Sequence, residues 1–353
     1  MRRLSEPPSE IELSRAAALP RYHYAAGLWV ITCYFNPLDY ATRRCNYEVF
    51  AAALQQAGLP WLTVECVFPG QEFTLPAAPH VLRVRARAVL WQKERLLNLA
   101  IGALPATCRA VAWLDADVLF ANARWAVETL AALEQRALVQ LFSECVRLRP
   151  GCLTDGGEAE RWPGFGYVAT QRPETIRAGH FDAHGHTGFA WAARRELLGQ
   201  HGLYDACIAG AGDHLIAHAA CGDWESPCIE RLMPESPAQQ RHFINWAQPF
   251  AAATGGQVGY VNGQLLHLWH GEFQQRRYAR RHQELARLGF NPFTDLRLGA
   301  NGCWEWAQTR PELTAWFHHY FKSRQEDEEC QEHQQKLSPV LPPSTRWMSR
   351  SAA

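Results

Sequence analysis

Residues 110–120 read AVAWLDADVLF, and this stretch decides the fold class. Its first five residues form a short apolar run of the kind that becomes a buried strand. The tripeptide Asp115-Ala116-Asp117 follows at once. The stretch therefore predicts a strand that runs into an acidic turn.

Strands and helices alternate on the amino-terminal side of this stretch. We predict strands at 28–35, 61–68 and 81–86 from apolar runs rich in strand-forming residues, and helices at 39–56 and 89–102 from apolar residues at helical spacing. This alternation is typical of an α/β domain with a mainly parallel central sheet flanked by helices.

Polar residues follow two of the predicted strands at their carboxyl ends. Asn36 follows the first strand, and Asp115 and Asp117 follow the strand of the opening stretch. Ligands of α/β sheets bind beyond this edge, so the three residues are expected on one rim. Two carboxylates there can converge on one hard cation while a diphosphate fills its open positions. An acidic turn without a chemical role is the alternative interpretation.

The segment 258–271 predicts two short strands joined by a tight turn, and it ends in two histidines, His267 and His270. One imidazole could complete a metal site begun by Asp117, since a carboxylate with an imidazole suits Mn²⁺ better than Ca²⁺. In a strand these two histidines point to opposite faces, so we expect only one to be a ligand. A packed histidine in an aromatic-rich core is the alternative.

Three other groups of polar residues are candidates for chemistry. Asp213 follows small residues at the start of a predicted helix, where it could be a general base or a structural N-cap. Lys93 and Asn98, on the helix at 89–102, could reach a diphosphate and a nucleotide, although a Lys-Glu pair more often lies on a solvated face. A predicted basic helix at 273–290 could neutralise a departing nucleoside diphosphate, although a solvated basic face is the commoner explanation.

Composition limits the class of protein. The chain has 353 residues, of which 47% are hydrophobic, enough for a substantial core. Its 35 basic and 35 acidic side chains argue against a nucleic-acid-binding protein. It has no apolar run long enough to predict a transmembrane segment, its first residues lack the apolar centre of a signal peptide, and its 11 cysteines include no CxxC motif. We therefore expect a cytoplasmic protein.

Polar, proline-containing sequence lies at both ends of the chain. From this composition we expect disordered segments at 1–26 and 323–353 and a single domain at 27–322.

The order of these motifs resembles GT-A-fold glycosyltransferases, and most closely the β-1,4-galactosyltransferase-like group with its relatives among the polypeptide GalNAc-transferases. The stretch 91–98 resembles that family's helix before the metal strand, and 113–118 resembles its DxD strand. Residues 210–213 resemble its acceptor loop, and 36–44 its first loop, which touches the nucleotide. His270 falls where the family places its late metal histidine.

This resemblance covers about residues 28–290 and implies a single GT-A domain (a nucleotide-diphospho-sugar transferase fold), Mn²⁺ or Mg²⁺, a UDP-sugar donor and a glycan or other hydroxyl acceptor. On that basis the nucleotide would be held by Asn36, Arg43, Lys93, Asn98 and Asp115. The metal would be held by Asp115, Asp117 and His270, with His267 as the alternative imidazole. Asp213 would be the base of an inverting transfer, although His214 follows it where the family usually has a second acid. We also expect Trp191 and Trp269 to shape a sugar pocket.

Two other functions remain open at this point. A sugar-nucleotidyltransferase uses a similar α/β frame, but usually has an early glycine-rich loop, whereas here the first strand ends in Phe35-Asn36-Pro37. A non-catalytic carbohydrate-binding protein on a degenerate GT-A fold would bind sugar without turnover.

Overall fold

The structure is a computed structural model that describes residues 21–157, 159–178, 181–278 and 280–327. The strands in chain order are β1 (Leu28–Phe35), β2 (Trp61–Val67), β3 (Val81–Arg85), β4 (Ala110–Leu114), β5 (Val118–Phe120), β6 (Leu138–Gln140), β7 (Glu144–Arg147), β8 (Glu160–Pro163), β9 (Ala190–Arg194), β10 (Val258–Tyr260), β11 (Gln264–His267), β12 (Leu296–Leu298) and β13 (Trp304–Trp306). The α-helices are α1 (Ala41–Gln56), α2 (Lys93–Ala103), α3 (Trp125–Gln135), α4 (Phe165–Gln171), α5 (Phe181–His184), α6 (Arg195–His201), α7 (Gly212–Ala220), α8 (Pro227–Leu232), α9 (Pro237–Thr254), α10 (Arg280–Arg287), α11 (Pro292–Asp295) and α12 (Pro311–Lys322).

The central sheet of the described chain has seven strands in the order β3-β2-β1-β4-β9-β6-β10. Neighbouring strands are parallel except at β9, which runs antiparallel to both β4 and β6. Helices α1 and α2 make crossovers between parallel strands, as such connections require. The expected α/β class, with a mainly parallel central sheet flanked by helices, is confirmed.

Alternate side chains of β4 enter different cores, one on each face of the central sheet. Val111 and Trp113 belong to one buried cluster, whereas Ala112 and Leu114 belong to the other. A strand covered on both faces needs an uninterrupted apolar run, which explains why AVAWL contains no polar residue. Among the described residues, no helix combines the length and the apolar character needed to cross a membrane.

The predicted strand at 110–120 is in fact two strands. β4 ends at Leu114 in the central sheet, and β5 resumes after the acidic turn in a second sheet of order β5-β11-β7-β8. The two short strands predicted in 258–271 are present, but β10 joins the central sheet and β11 joins the second sheet. The chain therefore crosses between the two sheets at both places.

Two helices differ from their predicted extents. The helix predicted from Val89 begins only at Lys93, because Gln92 has a φ of −123° and a ψ of 17°, outside the α-helical range. The basic helix predicted at 273–290 is divided into a 3₁₀ turn, Phe273–Arg276, and α10. Arg277 has a φ of 52°, a left-handed conformation through which an α-helix does not continue.

The packed chain extends beyond the expected domain limits of 27 and 322. Tyr22 is buried edge-on against Trp125, and its hydroxyl accepts a hydrogen bond from the N–H of Phe120 at 2.9 Å. The carboxylate of Asp327 accepts hydrogen bonds from the first two N–H groups of α1, each at 2.9 Å. Residues 1–20 and 328–353, the rest of the expected terminal segments, lie outside the described residues.

Candidate active site

A cavity of about 680 Å³ opens at the carboxyl edge of β1 and β4. The acidic turn lies on its wall, with the side chains of Asp115 and Asp117 about one quarter exposed. Their position follows from the backbone, since the N–H of Asp115 donates to the carbonyl of Phe189 at 2.8 Å. The expected placement of the acidic turn at the strand ends agrees with this geometry.

Both histidines of the 267–270 segment meet Asp117. The carboxylate oxygen Oδ2 of Asp117 lies 3.0 Å from Nε2 of His270 and 3.9 Å from Nε2 of His267. The two Nε2 atoms are 2.8 Å apart. The expectation that the two rings face opposite sides is wrong, because β11 ends at His267 and the next three residues are not extended strand.

Backbone pairing fixes this group. β11 runs antiparallel to β5, with His267 opposite Val118, and the N–H of Leu268 donates to the carbonyl of Asp117 at 2.8 Å. The acidic turn and the histidine segment, about 150 positions apart in the chain, are therefore neighbours in one ladder.

The chemistry of Asp117, His267 and His270 fits a divalent cation. One atom from each lies within 4.8 Å of the others, and the second carboxylate oxygen of Asp117 is buried without a hydrogen-bond partner among the described residues. Burial, together with the nearby Asp115, raises the pKa of Asp117 to about 7. Burial, together with Arg276, lowers the pKa of both histidines well below the usual value, so the rings are neutral, as metal binding requires.

A cationic side chain already contacts these ligand atoms. The guanidinium of Arg276 lies 2.6 Å from Nε2 of His270 and also contacts the other ring nitrogen. The lone pairs of the site thus face positive charge in this structure.

Lys93 lies between two carboxylates. Its ammonium is 2.5 Å from Asp115 and 2.5 Å from Asp213. Burial alone would lower the pKa of Lys93, but these two carboxylates outweigh it and hold that pKa well above the usual value. Asp115 is therefore paired with Lys93 and lies outside the three-residue group that could hold a metal.

The loop before α7 brings Asp213 to this position. The N-cap of α7 is Ala211, with a φ of 77°, and Asp213 makes no capping hydrogen bond, so the N-cap interpretation of Asp213 is wrong. Gly212 has no room for a side chain, since a Cβ there would lie 2.3 Å from the carboxyl group of Glu94. The missing side chain lets α7 approach α2 and places Asp213 against Lys93.

Glu94 is a site residue that the sequence interpretation missed. The Lys93-Glu94 pair, whose alternative reading was a solvated helix face, is buried, and both side chains line the cavity. Burial raises the pKa of Glu94 to about 8. Gly212, which lies next to Glu94 in space but far from it in the sequence, is a sign of this burial. It becomes informative only once α2 and α7 are known to be in contact.

Two of the expected nucleotide contacts have other roles. The side chain of Asn36 bonds to the backbone of Tyr40 through both its oxygen and its nitrogen, at 2.9 and 2.8 Å. The side chain of Asn98 bonds in the same way to the backbone of Leu203, at 2.8 and 2.9 Å. Neither is among the described residues that line the cavity, so both amides hold loops in place.

Six arginines among the described residues also line the cavity. The arginines that line the cavity are Arg43, Arg147, Arg231, Arg276, Arg281 and Arg324. Arg43 forms a two-pronged ion pair with the buried Glu326. Arginine forks match the oxygens of phosphate groups, so this wall suits a diphosphate.

The aromatic wall differs from the expected one. Trp191 is buried in the core, where its indole N–H donates to the carbonyl of Thr187 at 2.7 Å, and Trp269 is buried outside the cavity lining. Trp91 and Trp162 line the cavity instead, and both are partly exposed. Such rings can stack on the apolar face of a sugar.

No protein-family model matches this chain, and no curated protein matches it. Among solved structures it is similar to the catalytic domain of Drosophila β1,4-galactosyltransferase 7 in complex with xylobiose, with 13% identity, 55% of this chain and 59% of that chain covered, and a TM-score of 0.29. The chain thus spans 59% of the length of that domain. It is also similar to mannosyl-3-phosphoglycerate synthase from Rubrobacter xylanophilus, with 12% identity, coverages of 88% and 93%, and a TM-score of 0.36.

A third similar structure is 4-diphosphocytidyl-2C-methyl-D-erythritol synthase from Anaerococcus prevotii, with 8% identity, coverages of 76% and 99%, and a TM-score of 0.29. Similarities of this size assign no activity, so the function rests on the chemistry of the site.

Proposed function

We propose that this protein is a metal-dependent glycosyltransferase of the GT-A type that moves a sugar from a UDP-sugar onto a hydroxyl acceptor. The proposal is carried by the convergence of Asp117, His267 and His270 at the carboxyl edge of the sheet. Their cavity also contains a carboxylate, Asp213, that could activate an acceptor, and an arginine-rich wall for a diphosphate.

The metal would be held by Asp117, His267 and His270. A carboxylate with two imidazoles favours Mn²⁺ over Mg²⁺, which prefers oxygen ligands. When bound, the ion supplies a Lewis acid for the charge that develops on the leaving diphosphate. Arg276 faces the same space and would bind the phosphate oxygens, whereas the guanidinium of Arg43, expected from the sequence to hold the nucleotide, is already engaged by Glu326 and the carbonyl of Phe35.

Asp213 is the proposed base. Burial raises the pKa of Asp213, whereas Lys93 acts in the opposite sense and favours the charged form. The ammonium of Lys93 lies 2.5 Å from one carboxylate oxygen of Asp213 and fixes the orientation of that carboxylate, so that one oxygen is placed to accept a proton. The acceptor hydroxyl would give its proton to Asp213 while its oxygen bonds to the anomeric carbon and the bond to the diphosphate breaks. Direct displacement of this kind inverts the anomeric centre.

Partly exposed aromatic rings would position the sugars. Trp91 and Trp162 take the role that the sequence interpretation gave to Trp191 and Trp269, because only the first pair lines the cavity. Such stacking would supply apolar contact area, and polar contacts would add to the selection of the donor sugar.

The decisive experiment is a transfer assay with a panel of UDP-sugars and Mn²⁺ on three variants. Asp117→Asn should abolish Mn²⁺-dependent UDP binding in calorimetry. Asp213→Asn should keep that binding but lower transfer by about 10²–10⁴. Asp39→Asn is the matched control, since Asp39 is an exposed carboxylate outside the cavity and its φ of 55° suits asparagine.

Three outcomes contradict the proposal. Full transfer by Asp117→Asn would exclude the metal site. Pyrophosphate release from a sugar phosphate and a nucleoside triphosphate would identify a nucleotidyltransferase. Sugar binding without turnover by the wild-type protein would identify a binding protein.

A further inference from the structure

A second group of metal-ligating side chains lies on another part of the cavity wall. It comprises the imidazoles of His184, His214 and His218 and the thiol of Cys228, and one donor atom from each lies within 4.8 Å of all the others. His218 and Cys228 are buried, as is His184, while His214 is nearly so. The group contains no carboxylate, so it differs in chemistry from the group around Asp117.

Three separate helices supply these side chains. His214 and His218 are one turn apart on α7, a spacing that puts both rings on one face. Cys228 lies on α8, and His184 ends α5. The rings of His214 and His218 stack with their centroids 4.3 Å apart, and His184 meets them edge-on.

Each of the three rings has a polar contact at Nδ1. Nδ1 of His218 bonds to the carboxylate of Asp223 at 2.7 Å, and Nδ1 of His184 bonds to the carbonyl of Gly185 at 2.9 Å. Nδ1 of His214 lies 3.5 Å from the hydroxyl of Thr187. A ring that donates from Nδ1 to a carboxylate or a carbonyl keeps a lone pair on Nε2, and this arrangement is the usual outer support of a metal-bound histidine.

The Nε2 atoms of His214 and His218 are the atoms available to bind a metal ion. Among the described residues, Nε2 of His214 and Nε2 of His218 are buried and have no hydrogen-bond partner. Leaving buried polar atoms unsatisfied is unfavourable, so ring stacking alone does not account for the group.

The donor set selects the ion. Zn²⁺ binds histidine nitrogen at about 2.0–2.1 Å and cysteine sulfur at about 2.3 Å, so tetrahedral ligands lie about 3.3–3.6 Å apart. The four donor atoms lie within 4.8 Å of one another, so their separations exceed those of a zinc site by no more than about 1.5 Å, a difference that small side-chain rotations can close. Three nitrogens and one sulfur suit Zn²⁺ and exclude Mg²⁺ and Ca²⁺, which require oxygen ligands.

We propose that His184, His214, His218 and Cys228 bind one Zn²⁺ in a closed four-coordinate site that fastens α7 to α8 and α5. The thiol of Cys228 releases its proton to solvent on binding, and the three imidazoles bind as neutral ligands. Since Asp213 immediately precedes His214, the ion would fix the start of the helix that presents Asp213 to the cavity. The proposal does not depend on the proposed function.

Cobalt substitution tests this site. The wild-type protein, purified without chelators, should contain about one zinc per chain by mass spectrometry. After exchange into Co²⁺, it should show an intense thiolate-to-cobalt charge-transfer band in the near ultraviolet. Cys228→Ser should lose that band. Cys145→Ser, which removes another buried thiol in β7, should keep it.

The outcomes separate this site from the one at Asp117. Asp117→Asn should leave the cobalt–thiolate band unchanged, since no sulfur lies in that group. A folded wild-type protein with no stoichiometric zinc and no cobalt–thiolate band would overturn the proposal, as would a band that survives Cys228→Ser. His218→Gln, which keeps the thiol, should weaken retention of zinc against a chelator at least tenfold, and unchanged retention would also overturn the proposal.

Discussion

Removing the ammonium of Lys93 is expected to destabilise the protein severely. Lys93 is the shared partner of Asp115 and Asp213, and its side chain is only 10% exposed. Lys93→Met keeps the length and most of the volume of the side chain but leaves two carboxylates without their counter-charge. Breaking a buried ion pair by removing one partner costs about 3–5 kcal/mol.

The size of this effect follows from the exposure of each carboxylate. Asp213 is 13% exposed and should contribute most of the loss, whereas Asp115 is 26% exposed and is partly relieved by water. We expect a loss of about 3 kcal/mol in the free energy of unfolding, or about 4–6 °C in Tm for a chain of this length.

The loss should also depend on pH. Without Lys93, the pKa of Asp213 in the folded protein rises further above its value in the unfolded chain. The folded variant therefore binds a proton that the unfolded chain has already released, and its stability falls as pH rises through that range. At acidic pH, where Asp213 is protonated in both states, the difference from the wild-type protein should shrink.

Urea unfolding followed by circular dichroism at two pH values measures both effects. Lys322→Met is the control, since Lys322 is an exposed lysine of α12. Adding Asp213→Asn to Lys93→Met should restore part of the lost stability, because it removes an uncompensated charge. The reasoning is refuted if Lys93→Met costs no more than Lys322→Met, or if the double variant is less stable than Lys93→Met alone.

Three further predictions concern the same region. Glu94→Gln should stabilise the protein by roughly 3–5 kcal/mol at pH 8 and hardly at all at pH 5. The reason is that the pKa of Glu94 rises from 4.5 to about 8 on folding, so the unfolded chain loses its proton at lower pH than the folded protein does. A difference in Tm between variant and wild type that is constant with pH would contradict this. Gly212→Ala should destabilise the protein by about 1–3 kcal/mol, because the added methyl group clashes with Glu94. Gly199→Ala, which has open space around it in α6, should stabilise the protein by about 0.5–1 kcal/mol. Thermal unfolding measures both changes, and the same sign for both would contradict this prediction. Arg276→Gln should tighten Mn²⁺ binding severalfold in calorimetry without nucleotide, since the guanidinium contacts a nitrogen of His270 that the ion would need; an unchanged Kd would argue against that competition.

The apolar runs of the sequence predict the central sheet well, because a strand buried on both faces cannot contain polar residues. The runs at 28–35 and 110–114 are strands β1 and β4, and the acidic turn lies where the strand pattern ends. The division between β4 and β5 could not be predicted. Both halves are apolar, and the division depends on β11, a strand about 150 positions later in the chain.

The site was only partly visible in the sequence. Asp117 and the two histidines were identified by residue type, but their convergence depends on where β11 ends. Lys93 and Asn98 lie on the same helix but have different roles, which depend on what α2 packs against. The ammonium of Lys93 faces α7 and the cavity, whereas the amide of Asn98 binds the backbone near Leu203 and holds that loop in place. The spacing of four residues between His214 and His218 was a readable signal on a predicted helix.

The hydrogen-bonded ladder between β5 and β11 has a consequence for how the proposed metal site at Asp117 would work. It preorganises Asp117 and His267 through the main chain, so their spacing is set when the domain folds and not when the ion arrives. An ion at this position could enter and depart with the nucleotide in every catalytic cycle while the scaffold stays intact. His184, His214 and Cys228, which come from three separate helices, have no comparable ladder among the described residues. An ion there would be a permanent structural link between these helices, and its loss would weaken their packing.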